Sequence, residues 1–234
     1  MKFIEKQNYN TCNEIHKNLK GWGAHAYPNV NLVRLDKWFL KSEKSSKLLD
    51  YGCGYAENSL YFAKQGYEVN AADVSKDLIS FLKKKTKNKS KKKITFFHID
   101  NKLKKLPFKD GHFDTIICTG VIMYLASKKK TVYLLNEFAR CLKPNGKFII
   151  STFGPQNTFM KRSKKIDKNN YVFEGKEKFH VPIILKNKFF IPYSAKNFKS
   201  FFPKKLNVQE VGSWNNIYCG INGFHYVAIG NKVG

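Results

Sequence analysis

From residue 46 onward the chain alternates short apolar runs with amphipathic stretches, a rhythm that few folds accept. Strand-like runs fall at 47–52 (KLLDYG), 67–73, 94–100, 113–120 and 146–153, and helix-like segments at 57–65, 76–85 and 131–142. Gly66 is placed to close the first helix. The KPNG at 143–146 is placed to end the last one and turn into a strand. Repeated strand–helix alternation predicts a parallel sheet with helices on both faces, because each crossover must lay an apolar helix stripe on the sheet. The rhythm then changes. A helix is expected at 194–202, followed by strands at 206–214 and 223–231 joined by a turn. The expectation is therefore a doubly wound α/β fold, with a mostly parallel seven-stranded sheet and an antiparallel last strand pair.

The same pattern divides the chain. Residues 46–153 form the strand–helix core, preceded by an N-terminal, partly helical segment at 1–45. Residues 154–193 form an insertion, and 194–234 return to the core with its final helix and strand pair. Within the insertion, FHVPIILKNKFFIPYS reads as a hairpin turning at Lys186 and Asn187.

Charge narrows the partners less than its size suggests. The formal net charge is +26, yet only Arg34, Arg140 and Arg162 are arginines among 43 basic residues. Nucleic-acid readers favour arginine, whose planar fork matches phosphates and guanine edges. A lysine excess spread over solvated faces disfavours nucleic acid, and suits either solubility or attraction of an anionic small molecule. Cys12, Cys53, Cys118, Cys141 and Cys219 form no CxxC pair, and Cys53 and Cys118 read as small packing residues. The opening MKFIEKQNYN lacks a signal-peptide core, and no apolar run approaches the roughly 18 residues of a membrane span. A reducing cytoplasm and no membrane partner are expected. The histidines at 16, 25, 98, 112, 180 and 225 show no metal-ligand spacing, so no metal is assigned.

The first turn points to the ligand. In KLLDYGCGYAEN an apolar strand runs into Gly52 and Gly54, then into a helix that opens on Glu57. A dinucleotide fingerprint would carry its third glycine at position 57. Glu57 there suits the helix dipole but repels a pyrophosphate, so a ligand with a cationic group fits better. Asp73 ends the second strand, where a carboxylate can accept both ribose hydroxyls, and Asp100 ends the third. Simpler roles compete: Asp50 could hold turn amides, and Asp73 could cap the helix near Ser75.

Adenosine with a cationic tail describes S-adenosylmethionine. Over 46–153 the chain resembles the class I S-adenosylmethionine-dependent methyltransferases, compact bacterial small-molecule enzymes in particular. The likeness is carried by LLDYGCGYAEN, VNAADVS, LPFKDGHFDTIICTGVIMYL and FARCLKPNGKFIIS in the family's order and spacing. The resemblance implies a Rossmann-like fold, with Asp50, Gly52 and Gly54 around the methionine part and Asp73 on the ribose. It implies Asp100 and Asn101 at the adenine, and Thr119 and Gly120 beside the methyl group. Where many members have a third alternate glycine this chain has Ala56, whose methyl is expected to crowd the cofactor.

The acceptor is less legible. The family often places a lid ahead of the first strand, here in 1–45, where Trp22 and Tyr27 could face the sulfonium, and acceptor-binding elements after the fifth strand, here the insertion 154–193. Arg34 could meet the cofactor carboxylate. Tyr27, Tyr124, His180 and Tyr193 are the candidates for acceptor contact, and His25, Tyr124 and His180 for a catalytic role. The segment after the fourth strand, CTGVIMYL, lacks the Asn/Asp-Pro-Pro-aromatic motif of nucleobase and amide-nitrogen methylation. The expected activity is methyl transfer to oxygen or nitrogen of a small, anionic, phosphate- or nucleotide-linked or sugar-precursor acceptor. An RNA-modifying enzyme and a non-catalytic cofactor-binding protein are the alternatives.

Overall fold

The computed structural model describes residues 6–18, 27–41, 45–86, 94–100, 105–176, 184–218 and 221–234. Five parallel strands form the first part of the main sheet: β1 (Lys47–Tyr51), β2 (Glu68–Asp73), β3 (Ile94–His98), β4 (Phe113–Thr119) and β5 (Leu142–Phe153). Beyond an inserted sheet, β9 (Leu206–Trp214) and β12 (His225–Lys232) complete it antiparallel. The order β3-β2-β1-β4-β5-β12-β9 reverses direction between β1 and β4, and this opens a crevice at their carboxyl ends.

Helices cover both faces. On one lie α2 (Val30–Leu35), α3 (Glu57–Lys64) and α4 (Lys76–Thr86), burying Leu32, Phe62, Leu78, Ile79 and Leu82 against Leu48, Val69 and Ile117. On the other α5 (Lys128–Cys141) and α7 (Ala195–Lys199) bury Leu134, Phe138 and Phe198 against Leu49, Phe148 and Ile150. Alternate residues of each central strand face opposite helix layers, which is why these strands read as nearly continuous apolar runs. A π-helical turn (Asp36–Leu40) follows α2, and buried Asp36 accepts hydrogen bonds from the hydroxyls of Tyr61 (2.9 Å) and Tyr67 (2.6 Å). The Lys147 ammonium closes that turn by donating to the carbonyls of Phe39 and Leu40.

Several boundaries differ from expectation. The KPNG segment does not precede its strand: β5 starts at Leu142 and absorbs the four residues as a register shift against β4, with Asn145 at φ 60°. The last helix is shorter, Ala195–Lys199, with the Ser194 hydroxyl accepting from the Asn197 amide at 3.1 Å. Between β9 and β12 the chain adds a small ribbon, β10 (Ile217–Tyr218) with β11 (Ile221–Asn222).

After β5 come a helical turn, α6 (Thr158–Lys161), and a separate antiparallel sheet of β6 (Lys164–Lys165), β7 (Asn170–Lys176) and β8 (Ile184–Phe190). Lys186 and Asn187 stand inside β8, paired with Glu174 and Phe173, so the hairpin expected to turn there does not. Strand alternation explains the correction: Leu185, Asn187 and Phe189 are buried while Lys186 and Lys188 are exposed.

The free edge of β8 is closed by α1 (Lys6–Asn18). Buried Asn8 donates from Nδ2 to the Lys188 carbonyl (2.6 Å) and accepts on Oδ1 from the Lys188 amide (2.8 Å), replacing a neighbouring strand. Its second Nδ2 hydrogen reaches the Tyr124 carbonyl (2.7 Å), and the Thr11 hydroxyl donates to the Lys186 carbonyl (2.8 Å). The N-terminal helix thereby pins the inserted sheet to the end of the main one.

Candidate active site

The glycine turn after β1 sets the floor of the crevice. Gly52 (φ +76°) and Gly54 (φ +52°) adopt left-handed backbone, and a Cβ on Gly52 would overlap the Val121 side chain. The amides of Gly52 and Cys53 donate to the Ala72 carbonyl at 2.7 and 3.0 Å, tying the turn to β2. Asp50 therefore does not hold those amides; its buried carboxylate accepts from the Ser59 hydroxyl of α3 at 2.6 Å. Asp73 at the end of β2 accepts from the Gly54 amide (3.2 Å) and the Ser75 amide (2.9 Å). It thus joins the glycine turn to the start of α4, with the Ser75 hydroxyl capping that helix at Leu78.

The electrostatics of the turn are acidic. Burial pushes the Asp50 carboxyl from the usual 3.8 up to about 7, opposed by the Ser59 hydrogen bond and reinforced by Glu57 and Asp73. Burial first, then the same acids, raises the Cys53 thiol well above its ordinary value. Cys53 and Cys118 are buried free thiols of the core, inert as nucleophiles.

β4 ends at Thr119, paired with Ser151 of β5. Gly120 (φ +68°) follows, its amide donating to the Ser151 hydroxyl (3.2 Å) and carbonyl. A short 3-10 helix (Ile122–Leu125) then carries Met123 and Tyr124 under the inserted sheet. There the Tyr124 ring lies 5.3 Å from Phe189 and 6.4 Å from Phe153, and Phe159 stacks on Phe153 at 5.9 Å. These rings roof the carboxyl ends of β4 and β5.

A family model described as a methyltransferase domain matches residues 49–150. Over those residues the chain has a methyltransferase domain of the class I S-adenosylmethionine-dependent type. The putative methyltransferase YqeM of Bacillus subtilis is 29% identical over 155 residues, 62% of this chain and 61% of the relative. The chain thus spans less than two-thirds of that relative's length. Among solved structures, a methyltransferase of Methanosarcina mazei aligns with TM-score 0.69 at 16% identity, covering 88% of this chain and 99% of that one. The N-methyltransferase NodS of Bradyrhizobium japonicum, solved with S-adenosylhomocysteine, aligns with TM-score 0.61 at 14% identity, covering 97% and 99%. At these identities the structural likenesses show the fold.

A domain of this type implies S-adenosylmethionine as its cofactor, and the residues present fit it. A Cβ on Gly54 would meet nothing within 4 Å among the described residues, so backbone borders open space beside the Asp73 carboxylate. Acids flank that space, matching a ligand with ribose hydroxyls and a cationic tail. Ala56 does not crowd it: its methyl is buried in the core packed by Leu32 and Phe62. The departure from glycine instead leaves a non-glycine residue at φ 67° ahead of α3.

Of the residues expected at the site, the fold gathers Asp50, Gly52, Gly54, Asp73, Thr119 and Gly120 at the switch point of the methyltransferase domain. Asp100 is exposed just past β3, and Asn101 lies outside the described residues, as do Trp22, His25 and His180. Tyr27, 82% exposed, leads into α2, whose Arg34 also faces solvent. The Asn29 amide donates to the Asn58 side chain (2.9 Å) and so sets this segment beside the first turn of α3. Tyr193 stands half-exposed between β8 and α7, with the Lys168 ammonium 6.0 Å over its ring.

Sequence reasoning gave no special weight to His225, which opens β12 directly opposite Phe153. Its ring lies 5.0 Å from Phe153 and 6.1 Å from Trp214, and Nδ1 sits 2.7 Å from the Gly223 carbonyl. Because a carbonyl only accepts, Nδ1 carries the proton in that contact and Nε2 of the neutral ring keeps its lone pair. Burial lowers the His225 pKa, against a smaller opposing effect of the Gly223 contact, so the ring is neutral at neutral pH. The available signal was its place at the head of a strand antiparallel to β5, which is a matter of topology.

Proposed function

We propose that this protein transfers the methyl group of S-adenosylmethionine to oxygen or nitrogen of a small-molecule acceptor. The observation that carries the reading is the juxtaposition of the acid-flanked glycine turn with an aromatic roof over β4 and β5. In this reading Asp50, Gly52 and Gly54 hold the methionine part, Asp73 the ribose, and Asp100 with Asn101 the adenine. Thr119 and Gly120 border the methyl group. Bound there, the sulfonium supplies an already activated methyl, so this chain's residues serve chiefly to align the acceptor and exclude water. The apolar roof provides the exclusion. Tyr124 and His225 provide the polar contacts, and Nε2 of His225 is free to take the proton that a hydroxyl or ammonium acceptor must lose. Exposed lysines around the inserted sheet, Lys186 and Lys188 among them, would draw a phosphate- or nucleotide-linked acceptor without entering the roof.

The test is incubation of the purified full chain with methyl-radiolabelled cofactor and a cell extract split into small-molecule, RNA and protein fractions. Label in the small-molecule fraction is the expected result. Label in RNA would overturn the acceptor assignment and make the lysine surface a docking face, and no label in any fraction would favour a non-catalytic cofactor binder.

A further inference from the structure

Asn187 buries its side chain between Leu185 and Phe189 on the inner face of β8 and is only 3% exposed. Its Oδ1 has no hydrogen-bond partner among the described residues. The backbone of its two neighbours is engaged, since Asn8 serves both groups of Lys188 and Thr11 the carbonyl of Lys186. The deficit therefore belongs to the amide oxygen. Asn187 pairs across the sheet with buried Phe173. Two residues along the same face, Phe189 reaches Tyr124 at 5.3 Å and Phe153 at 5.9 Å. A buried acceptor without a donor disfavours the folded state, and native structures keep few of them. Such a group becomes favourable when a ligand brings the donor.

We propose that Asn187 is a specificity-determining contact for the acceptor. Its Oδ1 receives a hydrogen bond from an N–H or O–H on the uncharged, planar end of a small molecule seated against the packed rings of Tyr124, Phe153 and Phe189. The inference rests on the acceptor reading above and names its chemistry. Ring edges and faces favour a planar body, and an amide oxygen selects a donor. No lysine or arginine is buried among the described residues, so a charged end entering the roof would lose hydration without a partner. A charged part of the acceptor stays outside, near the lysines. Sites that hydrogen-bond a substrate hydroxyl or N–H discriminate strongly against analogues lacking it.

The probes are two matched pairs, phenol with anisole and indole with 1-methylindole, titrated by ligand-observed NMR into the full chain with and without S-adenosylhomocysteine. Phenol and indole are expected to bind about tenfold more tightly than their methylated partners. In Asn187→Leu that preference falls to near unity, while the melting temperature holds or rises because an unsatisfied amide has been replaced by an apolar side chain. A preference that survives Asn187→Leu, a lowered melting temperature with the preference intact, or failure of all four probes to bind would each overturn the proposal. Calorimetric binding of S-adenosylhomocysteine to the same variant separates this outcome from failure of the methyltransfer reading, since Asn187→Leu leaves the cofactor crevice untouched.

Discussion

Replacing Asp50 by Asn tests the electrostatic logic of the glycine turn. In the free protein burial holds this carboxyl near 7 instead of 3.8, so the folded state keeps a proton that the unfolded state has lost. A raised carboxyl stabilises fully below the unfolded value, and its contribution falls as pH rises from about 4 to about 7. The whole span is worth about 4 kcal/mol. A ligand ammonium reverses the balance, because it favours the ionised form. S-adenosylhomocysteine should therefore bind the wild-type protein more weakly as pH drops below 7, up to about tenfold per pH unit. One proton should be released per ligand bound at pH 6. Calorimetry from pH 6 to pH 8, in two buffers of different ionisation enthalpy, measures both quantities. Asp50→Asn should bind about tenfold or more weakly at pH 8, lose the pH dependence, and unfold in urea at pH 8 no earlier than wild type. Wild-type affinity that is flat across this range, or an Asn variant that binds like wild type, would refute the assignment of Asp50 to a cationic ligand group.

Ser59→Ala removes the hydroxyl that stabilises the Asp50 carboxylate at 2.6 Å, so the pH at which cofactor affinity falls should move upward in the same calorimetric series. Gly52→Ala forces a Cβ into Val121 at φ +76° and should cost about 3 kcal/mol or more by urea unfolding, with the steric part recovered in the Gly52→Ala, Val121→Ala double variant. Asn8→Ala strands the Lys188 and Tyr124 backbone groups it serves and should cost about 2–4 kcal/mol, with faster amide exchange at Lys188. His225→Phe keeps the ring packing but loses Nε2; cofactor affinity should hold while the single-turnover rate drops and loses its pH dependence, measured with whichever compound the extract labels.

The parallel core was legible because its cues are local. An apolar strand, a glycine turn and an amphipathic helix each announce themselves within about a dozen residues; helices follow β1, β2 and β4, while β3 passes to β4 with no helix among the described residues. The acids at 50 and 73 were legible for the same reason, since a strand end fixes where a side chain emerges. Reading failed where local cues conflict with pairing. Lys186-Asn187 looks like a turn but is held in β8 by its match to β7 and by the side chains of α1. KPNG looks like a stop between elements but is absorbed by pairing with β4.

The sequence by itself determined the doubly wound core, the acidic glycine turn and the cofactor class, all written in short windows by backbone sterics and side-chain alternation. Only tertiary structure decided what surrounds the acceptor. His225, Phe153, Tyr124, Phe189 and Asn187 come from separate stretches of chain and meet because β12 returns antiparallel to β5 while α1 presses the inserted sheet over both. Contacts made at such sequence separation leave no periodic trace, since each residue satisfies its own strand's alternation and only packing brings the side chains together.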